Sequence, residues 1–588
     1  MKSENFEGSP QLVLTDYCVD YDINSDYLFA GPWCLAVRED KPFKSSYHSY
    51  HWDDRDKLEK DYFYLGSLHR RILNALVSKL NEIHNVSCDL RYWQIILDPW
   101  LAYFISASFD RFETIRTLLP KGNLLPITFF RINEIESIPF DTTQFVNFSN
   151  SEVWNQYIFQ KIILDSFKSD FNFQTKDKIE ANEKEEKTKS NTARFKRKIV
   201  FTFCKSPVNI FLSGGISSEK VRHIVKGSRT DKFFLYATNL LVKESDYSKR
   251  KLFELRKEKL GDFVPVNKFE EFIHSNILFN MPKCALEYYS QIKQESKTIR
   301  GTPKVIVSGG EHFYNTLIKN WIAEQVLKNS KLIISEHGGS LQVFRDLFDF
   351  EVNICDAKAN WNIPFHKKHY QLPPLKYSFN ARPGDQLTVT RSSQILIVAA
   401  DYPKYVLRAQ FYPVSHQILS TFIFATEFYE NLQEKLQKNI LIKPYPIDCG
   451  WNLKNRYLNY FGEDKVSKEV NLIKNLYSVR LVICTYPETT FSDALITDTP
   501  AILIYSDKYN KMHPISDELI SALKEAKMLF YSPLEASKHV NEIYEQTDIW
   551  WASPEVTRAK ELFFKQAIRL SEDWVKEWQD FLVRVSNS

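Results

Sequence analysis

The second half of the chain alternates short apolar segments with longer amphipathic ones, and this alternation limits the fold more than any other feature. The apolar segments are predicted strands at 304–307, 331–335, 395–400, 440–443, 480–484 and 501–505. The segments between them are predicted helices at 314–328, 415–437, 466–476 and 488–496. Buried strands that alternate with helices predict βα units and parallel sheets covered by helices on both faces.

The first part of the chain shows a similar but weaker pattern. Segments 11–15 and 27–30 are short apolar runs that end in turn residues, so they are predicted strands. Apolar residues at spacings of three and four predict an amphipathic helix through Leu65 and Leu80, and a second helix follows through Trp93 and Phe104. A chain of 588 residues has room for two such sheets.

Charged residues replace the aromatic ones from 175 to 198. This composition is typical of a solvated loop or charged helix, so the segment is predicted to be a linker or an insertion. A basic patch at 194–198 leaves contact with anionic lipid open, although a solvated face is the simpler interpretation. A buried-strand pattern resumes at 199–203.

Charge and cysteine usage exclude several classes of protein. Lys and Arg number 77 and Asp and Glu number 73, a balance that argues against a dedicated nucleic-acid binder. The eight cysteines include no C-x-x-C pair, which favours buried thiols in a reducing compartment. No apolar signal region or membrane span is visible, so we expect a cytoplasmic protein, with peripheral contact at the inner membrane left open.

Hydroxyl residues follow the predicted strand 480–484 and open the next helix. They are Thr485, Thr489, Thr490 and Ser492. Unpaired amides at a helix N-terminus favour a phosphate, and ligands of open α/β sheets bind at the carboxyl ends of strands. The alternative is that Thr490 only caps the helix, with Asp493 as its capping-box partner.

A second loop of this kind follows the strand 331–335 and consists of Glu336, His337, Gly338 and Gly339. Paired glycines allow close approach of backbone to a ligand, and a histidine binds phosphate or moves a proton near neutral pH. Glu336 is a candidate base. A turn with a structural histidine is the alternative.

A third loop follows the strand 440–443. Lys443 and Arg456 are candidates to neutralise a diphosphate or carboxylate, and Tyr445 lies in the same loop. Asp448 is a candidate to bind a sugar hydroxyl or to act as a base. A proline-rich surface loop is the alternative. Two D-x-D pairs, at Asp20 and Asp54, follow no buried strand, so we expect no metal site there.

The sequence resembles the transferases encoded in bacterial surface-polysaccharide clusters, including those of lipopolysaccharide. The matching segments are 12–15, 31–34, 84, 91–93, 98–100, 336–339, 448–451, 489–490 and 550–551. The resemblance to GT-B glycosyltransferases implies an α/β fold with two Rossmann-like domains facing a cleft, a nucleotide-sugar donor as substrate, and no obligatory metal or further cofactor. The chain departs from the family in Glu336, where glutamine is usual, and in Lys443, where arginine is usual.

The resemblance also suggests a division of the chain. The N-terminal domain is predicted to combine residues 1–174 and 199–380, interrupted by the charged segment 175–198. A C-terminal nucleotide-sugar-binding domain is predicted at 390–552. Residues 553–588 are predicted to form one amphipathic helix that packs back on the N-terminal domain.

The sequence therefore predicts a glycosyltransferase that moves a sugar from a nucleotide donor to a glycan or a lipid-linked acceptor. The basic Lys443 and Arg456 suggest a CMP-linked acidic sugar as the donor. Two alternatives stay open: a transferase of polyol phosphate from a CDP-activated donor, and a non-catalytic scaffold of the polysaccharide assembly machinery.

Overall fold

A computed structural model describes residues 10–17, 26–36, 45–119, 124–177, 209–212, 216–225, 232–235, 254–299, 301–345, 347–377 and 391–588. The strand expected at 199–203, and residues 178–198 of the expected charged segment, lie outside this description. The described strands form three sheets, and the paired strands within each sheet are parallel.

The first sheet has the strand order β3-β2-β1-β4-β5. Its strands are β1 Gln11–Val13, β2 Tyr27–Phe29, β3 Ser45–Tyr47, β4 Leu125–Phe130 and β5 Phe171–Lys176. Its helices are α1 Arg55–His84, α2 Leu90–Leu118, α3 Thr142–Ser149 and α4 Glu152–Ser166. The carboxylate of Asp54 caps α1 by accepting the amides of Asp56 and Lys57, so this D-x-D pair is a helix start.

The second sheet has the order β11-β10-β9-β8-β6-β7. Its strands are β6 Asn209–Leu212, β7 Lys232–Leu235, β8 Val305–Ser308, β9 Lys331–Ser335, β10 Ala357–Asn360 and β11 His369–Gln371. Its helices are α5 Ser218–Val225, α6 Lys268–Asn280, α7 Tyr289–Ser296, α8 Glu311–Tyr314, α9 Thr316–Val326 and α10 Phe350–Ile354. Helix α2, buried along most of its length, packs against α9 and connects this domain to the first sheet.

The third sheet has the order β13-β12-β14-β15-β16. Its strands are β12 Ile395–Val398, β13 Ile440–Lys443, β14 Leu481–Cys484, β15 Ala501–Ile504 and β16 Leu529–Phe530. Its helices are α11 Leu419–Glu430, α12 Glu434–Gln437, α13 Leu453–Phe461, α14 Leu472–Ser478, α15 Thr489–Ile496, α16 Asp517–Glu525, α17 Pro533–Ile543 and α18 Thr547–Trp551. Because β12, β14 and β15 are buried on both faces, they need apolar residues at every position.

The chain ends in two helices, not in the single helix predicted for 553–588. Helix α19, Pro554–Gln566, packs on the third sheet, and α20, Trp574–Asn587, packs back on the second sheet. The indole of Trp578 in α20 donates a hydrogen bond of 2.9 Å to the carbonyl of Pro373. Among the described residues, no helix is both long enough and apolar enough to cross a bilayer.

The α/β class with two Rossmann-like domains is confirmed by the second and third sheets. The five strands of the first sheet are an addition, because residues 11–176 pair among themselves and share no sheet with the strands at 209–371. The boundaries at 174, 199, 380 and 390 stay predictions. The helix predicted at 466–476 is shorter and later, at α14, and α13 was not predicted.

Candidate functional site

Two loops predicted to bind ligand meet between the second and third sheets. The loop after β9 carries Gly339, whose amide donates a hydrogen bond of 3.0 Å to Oγ1 of Thr489 at the start of α15. The hydroxyl of Ser492, one turn later in α15, donates to the carbonyl of Gly339 at 2.8 Å. Both backbone polar atoms of Gly339, in the domain of the second sheet (the second domain), are therefore bound by one helix of the domain of the third sheet (the third domain).

Helix α15 begins without a side-chain cap. Its N-cap residue is Glu488, and the side chain of Glu488 accepts no capping hydrogen bond from the first amides of the helix. The structure does not show the capping box of Thr490 and Asp493 that was the alternative interpretation, because Thr490 contacts the hydroxyl of Tyr486 and Asp493 accepts from Lys376. Uncapped amides at a helix N-terminus are available to an anion.

The two glycines of the loop are favoured for different reasons, close approach at Gly338 and backbone conformation at Gly339. A Cβ atom on Gly338 would lie 3.0 Å from Oγ1 of Thr489. Gly339 has a φ of +141°, a backbone conformation that residues with side chains rarely adopt. The glycine pair therefore serves the contact between the two domains as well as the shape of the loop.

The loops open into a cavity of about 710 Å³. Its walls come mainly from residues that follow β8, β9, β10 and β14, so it lies at the carboxyl ends of parallel strands in two sheets. The second domain contributes Gly309, Gly310, Glu311, Glu336, His337, Gly338, Gly339, Glu351, Lys358 and Asn362. The third domain contributes Arg408, Tyr412, Glu488 and Thr489, and α2 contributes Tyr103.

Glu336 is fixed at the edge of this cavity by Trp361. The backbone amide of Trp361 donates to Oε2 of Glu336 at 2.7 Å, and the indole of Trp361 donates to the backbone carbonyl of Glu336 at 3.0 Å. Burial raises the pKa of the Glu336 carboxyl, although Lys358 acts in the opposite direction. His337, next in the chain, is exposed and lines the same cavity.

Three of the predicted hydroxyl residues hold the fold together and do not line the cavity. Thr485 donates to the carbonyl of Val398 at 3.0 Å, which ties β14 to β12. Thr490 lies buried against Tyr486, with 2.6 Å between the two hydroxyl oxygens. Ser492 is fully buried and supports Gly339. Thr489 alone of the four faces the cavity.

The residues predicted in the loop after β13 also lie outside this cavity. Lys443 donates to the carbonyls of Glu469 and Val470, and Arg456 donates to that of Trp451 and to that of Ala36 in the first domain. Both cations therefore donate hydrogen bonds to backbone carbonyl oxygens, and the sequence alone does not show these contacts.

The remaining two predicted residues of that loop, Asp448 and Tyr445, lie outside the cavity as well. Asp448 is exposed and accepts the amides of Gly450 and Asn452 at 2.9 and 3.1 Å. Tyr445 is 42% exposed and does not line the cavity. Asp448 therefore stabilises its own loop, and Glu336 and His337 are the two predicted catalytic residues that reach the cavity.

Several polar residues of the cavity were missed by the sequence analysis. Gly309 and Gly310 follow Ser308 at the end of β8, just as Gly338 and Gly339 follow β9. This second strand-to-glycine pair was visible in the sequence and would have indicated Glu311. Glu351 and Lys358 carry no local signal, because only the fold brings them to the cavity.

Two residues of the N-terminal matching segments, Trp33 and Arg91, have structural partners. The indole of Trp33 donates to the carbonyl of Leu14 at 2.9 Å, and Arg91 forms an ion pair with Asp356 at 2.7 Å. The first contact lies within the domain of the first sheet, and the second connects α2 to the second sheet. These matching segments therefore have a structural role.

Two Rossmann-like domains that share a polar cavity at the carboxyl ends of their strands define a class of ligand-binding α/β proteins. Residues 10–582 match the model of the LIC12162 family transferase, so the chain belongs to this family of transferases. No curated protein matches the chain.

Among solved structures, the chain is similar to the wall teichoic acid polymerase TagF, with 10% identity, a TM-score of 0.31, and coverage of 67% of this chain and 94% of that one. It is similar to S. aureus MnaA in a co-structure with UDP, with 9% identity, a TM-score of 0.36 and coverage of 64% and 96%. It is also similar to WaaG, a glycosyltransferase involved in lipopolysaccharide biosynthesis, with 10% identity, a TM-score of 0.32 and coverage of 64% and 99%.

Proposed function

We propose that this transferase moves a sugar from a nucleotide-activated donor to a hydroxyl group of a glycan or a lipid-linked acceptor. The observation that carries the proposal is the contact between Gly339 and Thr489, which places an uncapped helix N-terminus and a histidine-glycine loop at one cavity. A cavity of about 710 Å³ falls within the range of small-molecule sites.

In this proposal the amides at the start of α15 hold the donor phosphate. The acceptor oxygen attacks the anomeric carbon, and the bond from that carbon to the phosphate oxygen breaks with its electron pair on the phosphate. Preorganised amides and His337 stabilise that developing charge. Lys358 and Arg408 are cations on the cavity wall, and they replace Lys443 and Arg456 as the groups that would favour an acidic donor sugar.

Transfer of polyol phosphate from a CDP-activated donor would use the same phosphate site. The two chemistries differ in the donor and in the bond that breaks. A CDP-polyol donor gives up its polyol phosphate and leaves CMP, whereas a CDP-sugar leaves CDP and a CMP-linked sugar leaves CMP by cleavage at the anomeric carbon. A scaffold that has lost catalysis would bind no nucleotide and release none.

The test is a release assay with purified protein and CMP-N-acetylneuraminic acid, UDP-glucose, GDP-mannose, dTDP-glucose, CDP-glucose and CDP-glycerol. Nucleotide is quantified by chromatography with and without added glycan. We expect release from one sugar nucleotide and its loss in Thr489→Val. Release from CDP-glycerol alone would support the polyol-phosphate alternative, and no release from any donor would support the scaffold.

A further inference from the structure

A chain of hydrogen bonds runs behind the second-domain wall of the cavity. Oγ of Ser308 lies 2.9 Å from Nδ1 of His312, and Nε2 of His312 lies 3.1 Å from Oε1 of Glu351. The other carboxylate oxygen of Glu351 lies 2.7 Å from Nζ of Lys358. Ser308 and His312 are fully buried, whereas Glu351 and Lys358 reach the cavity.

The directions of these hydrogen bonds follow from the chemistry of the groups. An ionised carboxylate only accepts, so Nε2 of His312 carries the proton and Nδ1 accepts from the hydroxyl of Ser308. Burial lowers the pKa of His312 and favours its neutral form. Burial acts to raise the pKa of Glu351, but Lys358 and His312 outweigh it and hold that pKa well below its usual range. Glu351 and Lys358 are therefore fixed opposite charges.

Glu336 lies beside this pair of charges. Its amide donates to the carbonyl of Ala359 at 3.0 Å, next to Lys358 in β10. The amide of Trp361 fixes Oε2, and no described residue donates a hydrogen bond to Oε1. Lys358 favours the ionised form of Glu336, whereas burial and Glu351 favour the protonated form.

Other charged groups share the cavity with Glu336. Both carboxylate oxygens of Glu351 are occupied by His312 and Lys358. Glu488 accepts the hydroxyl of Tyr402 at 3.2 Å. His337, Glu311 and Arg408 face the same space. Glu336 has one carboxylate oxygen held by the backbone amide of Trp361 and a second oxygen to which no described residue donates.

We propose that Glu336 is the base that takes the proton of the acceptor hydroxyl, and that Lys358 and Glu351 are positioning residues that govern its ionisation. This inference rests on the proposed function. The acceptor O–H bond breaks as its proton moves to Oε1 of Glu336, and the oxygen electron pair forms the bond to the anomeric carbon. The bond to the donor phosphate breaks at the same time, and its electron pair leaves with the nucleotide.

The positioning role is tested without substrate. The melting temperature of the protein and of Glu336→Gln is measured from pH 4 to 9, in the wild-type background and in Lys358→Met, Glu351→Gln and Ser308→Ala backgrounds. A buried carboxyl destabilises the fold as it ionises, so the advantage of Glu336→Gln grows with pH and levels off at the folded-state pKa of Glu336. The pH at which it levels off reports how the neighbouring charges act on Glu336.

We expect that pH to rise by about one unit in Lys358→Met and to fall in Glu351→Gln, because the removed charges have opposite signs. Ser308→Ala removes the end of the hydrogen-bond chain without a change of charge, and it should leave that pH unchanged. The positioning role would be overturned if Lys358→Met and Glu351→Gln moved this pH in the same direction, or if neither moved it. Their effect on overall stability does not enter this comparison.

The role as base is tested by hydrolysis of whichever donor of the release panel is turned over, with water in place of the acceptor. We expect Glu336→Gln to lower kcat by about 100-fold or more with little change in KM, because it removes proton transfer but leaves the donor site intact. Full hydrolysis by Glu336→Gln, with its loss in His337→Gln, would assign the base to His337 and overturn the inference. If no donor binds the wild-type protein, the proposed function fails and the role as base fails with it, while the pH series still decides how Lys358 and Glu351 act.

Discussion

The amide of Gly339 donates a 3.0 Å hydrogen bond to Oγ1 of Thr489, a residue 150 positions further along the chain. The bond joins the two Rossmann-like domains at the edge of the shared cavity. Because α15 also binds the carbonyl of Gly339 through Ser492, the histidine-glycine loop is held in place by the third domain. We therefore expect binding of a ligand at this edge to depend on contact between the domains.

Replacing Thr489 tests this contact directly. Thr489→Val removes the acceptor and leaves the amide of Gly339 unpaired, so we expect a loss of about 1 to 2 kcal/mol in the free energy of unfolding. Thr489→Ser keeps the oxygen and is the matched control. Urea unfolding curves of the three proteins measure the difference, and equal midpoints for Val and Ser would contradict the importance of the hydrogen bond.

A side chain at Gly338 should force the two loops apart. The added Cβ of Gly338→Ala would lie 3.0 Å from Oγ1 of Thr489, closer than such contacts normally occur. We expect Gly338→Ala to destabilise the protein, and Thr489→Ala in the same chain to relieve part of that cost. A double-mutant cycle should give a coupling of about 1 kcal/mol between the sites, and simple additivity would show that the steric contact is unimportant.

Asp401 should make the protein less stable at high pH. Oδ1 of Asp401 is buried without a hydrogen-bond partner among the described residues, and burial raises the pKa of this carboxyl to about 7. Because the pKa of Asp401 is higher in the folded protein than in the unfolded chain, the folded protein holds the proton to higher pH. The stability of the fold therefore falls as pH rises from about 4 to 7. We expect Asp401→Asn to stabilise the protein by up to about 4 kcal/mol at pH 8 and by much less at pH 5. Calorimetry at the two pH values measures this, and an equal effect at both would refute the assignment.

His539 should limit stability in acid. Its ring lies between Phe530 and Trp550, with centroid distances of 5.6 and 5.3 Å, and burial lowers the pKa of His539 to about 4. The unfolded chain binds a proton below about pH 6.5 that the folded chain rejects, so stability is lost as pH falls from 6.5 to 4. We expect His539→Phe to reduce this loss and to have little effect at pH 8. The melting temperatures of the wild type and of His539→Phe are measured across this pH range. An equal dependence on pH in the two proteins would contradict the prediction.

The apolar pattern predicted the central strands well because burial on both faces leaves a continuous signal. The predicted bounds of β9 and β13 agree with the structure. The first sheet was harder to separate, since β1, β2 and β3 are only three residues long and β1 pairs with the distant β4, where Leu12 lies opposite Ile127. Short strands carry little periodicity, and their partners are set by the fold.

The parts of the candidate site that belong to a local sequence motif could be predicted. The glycine pair of the loop after β9 and the hydroxyl at the start of α15 could both be identified from sequence, although their contact could not. Lys443 and Arg456 were misplaced because a sequence shows charge but not whether nearby carbonyls use it. Lys358 and Glu351 were missed because their ion pair forms between separate elements.

The central claim is that a nucleotide binds at Thr489 in the cavity between the domains. The most direct measurement is a thermal-shift titration with CMP, CDP, UDP, GDP and dTDP on the wild type, on Thr489→Val and on Thr490→Val, each compared with its own melting temperature without ligand. Thr490 is the matched control, because its hydroxyl lies one residue away on α15 but contacts Tyr486.

We expect one nucleotide to raise the melting temperature of the wild type and of Thr490→Val, and we expect Thr489→Val to need at least about 10-fold more of it for the same shift. No shift of the wild type with any of the five nucleotides, or an equal shift in Thr489→Val, would contradict the central claim.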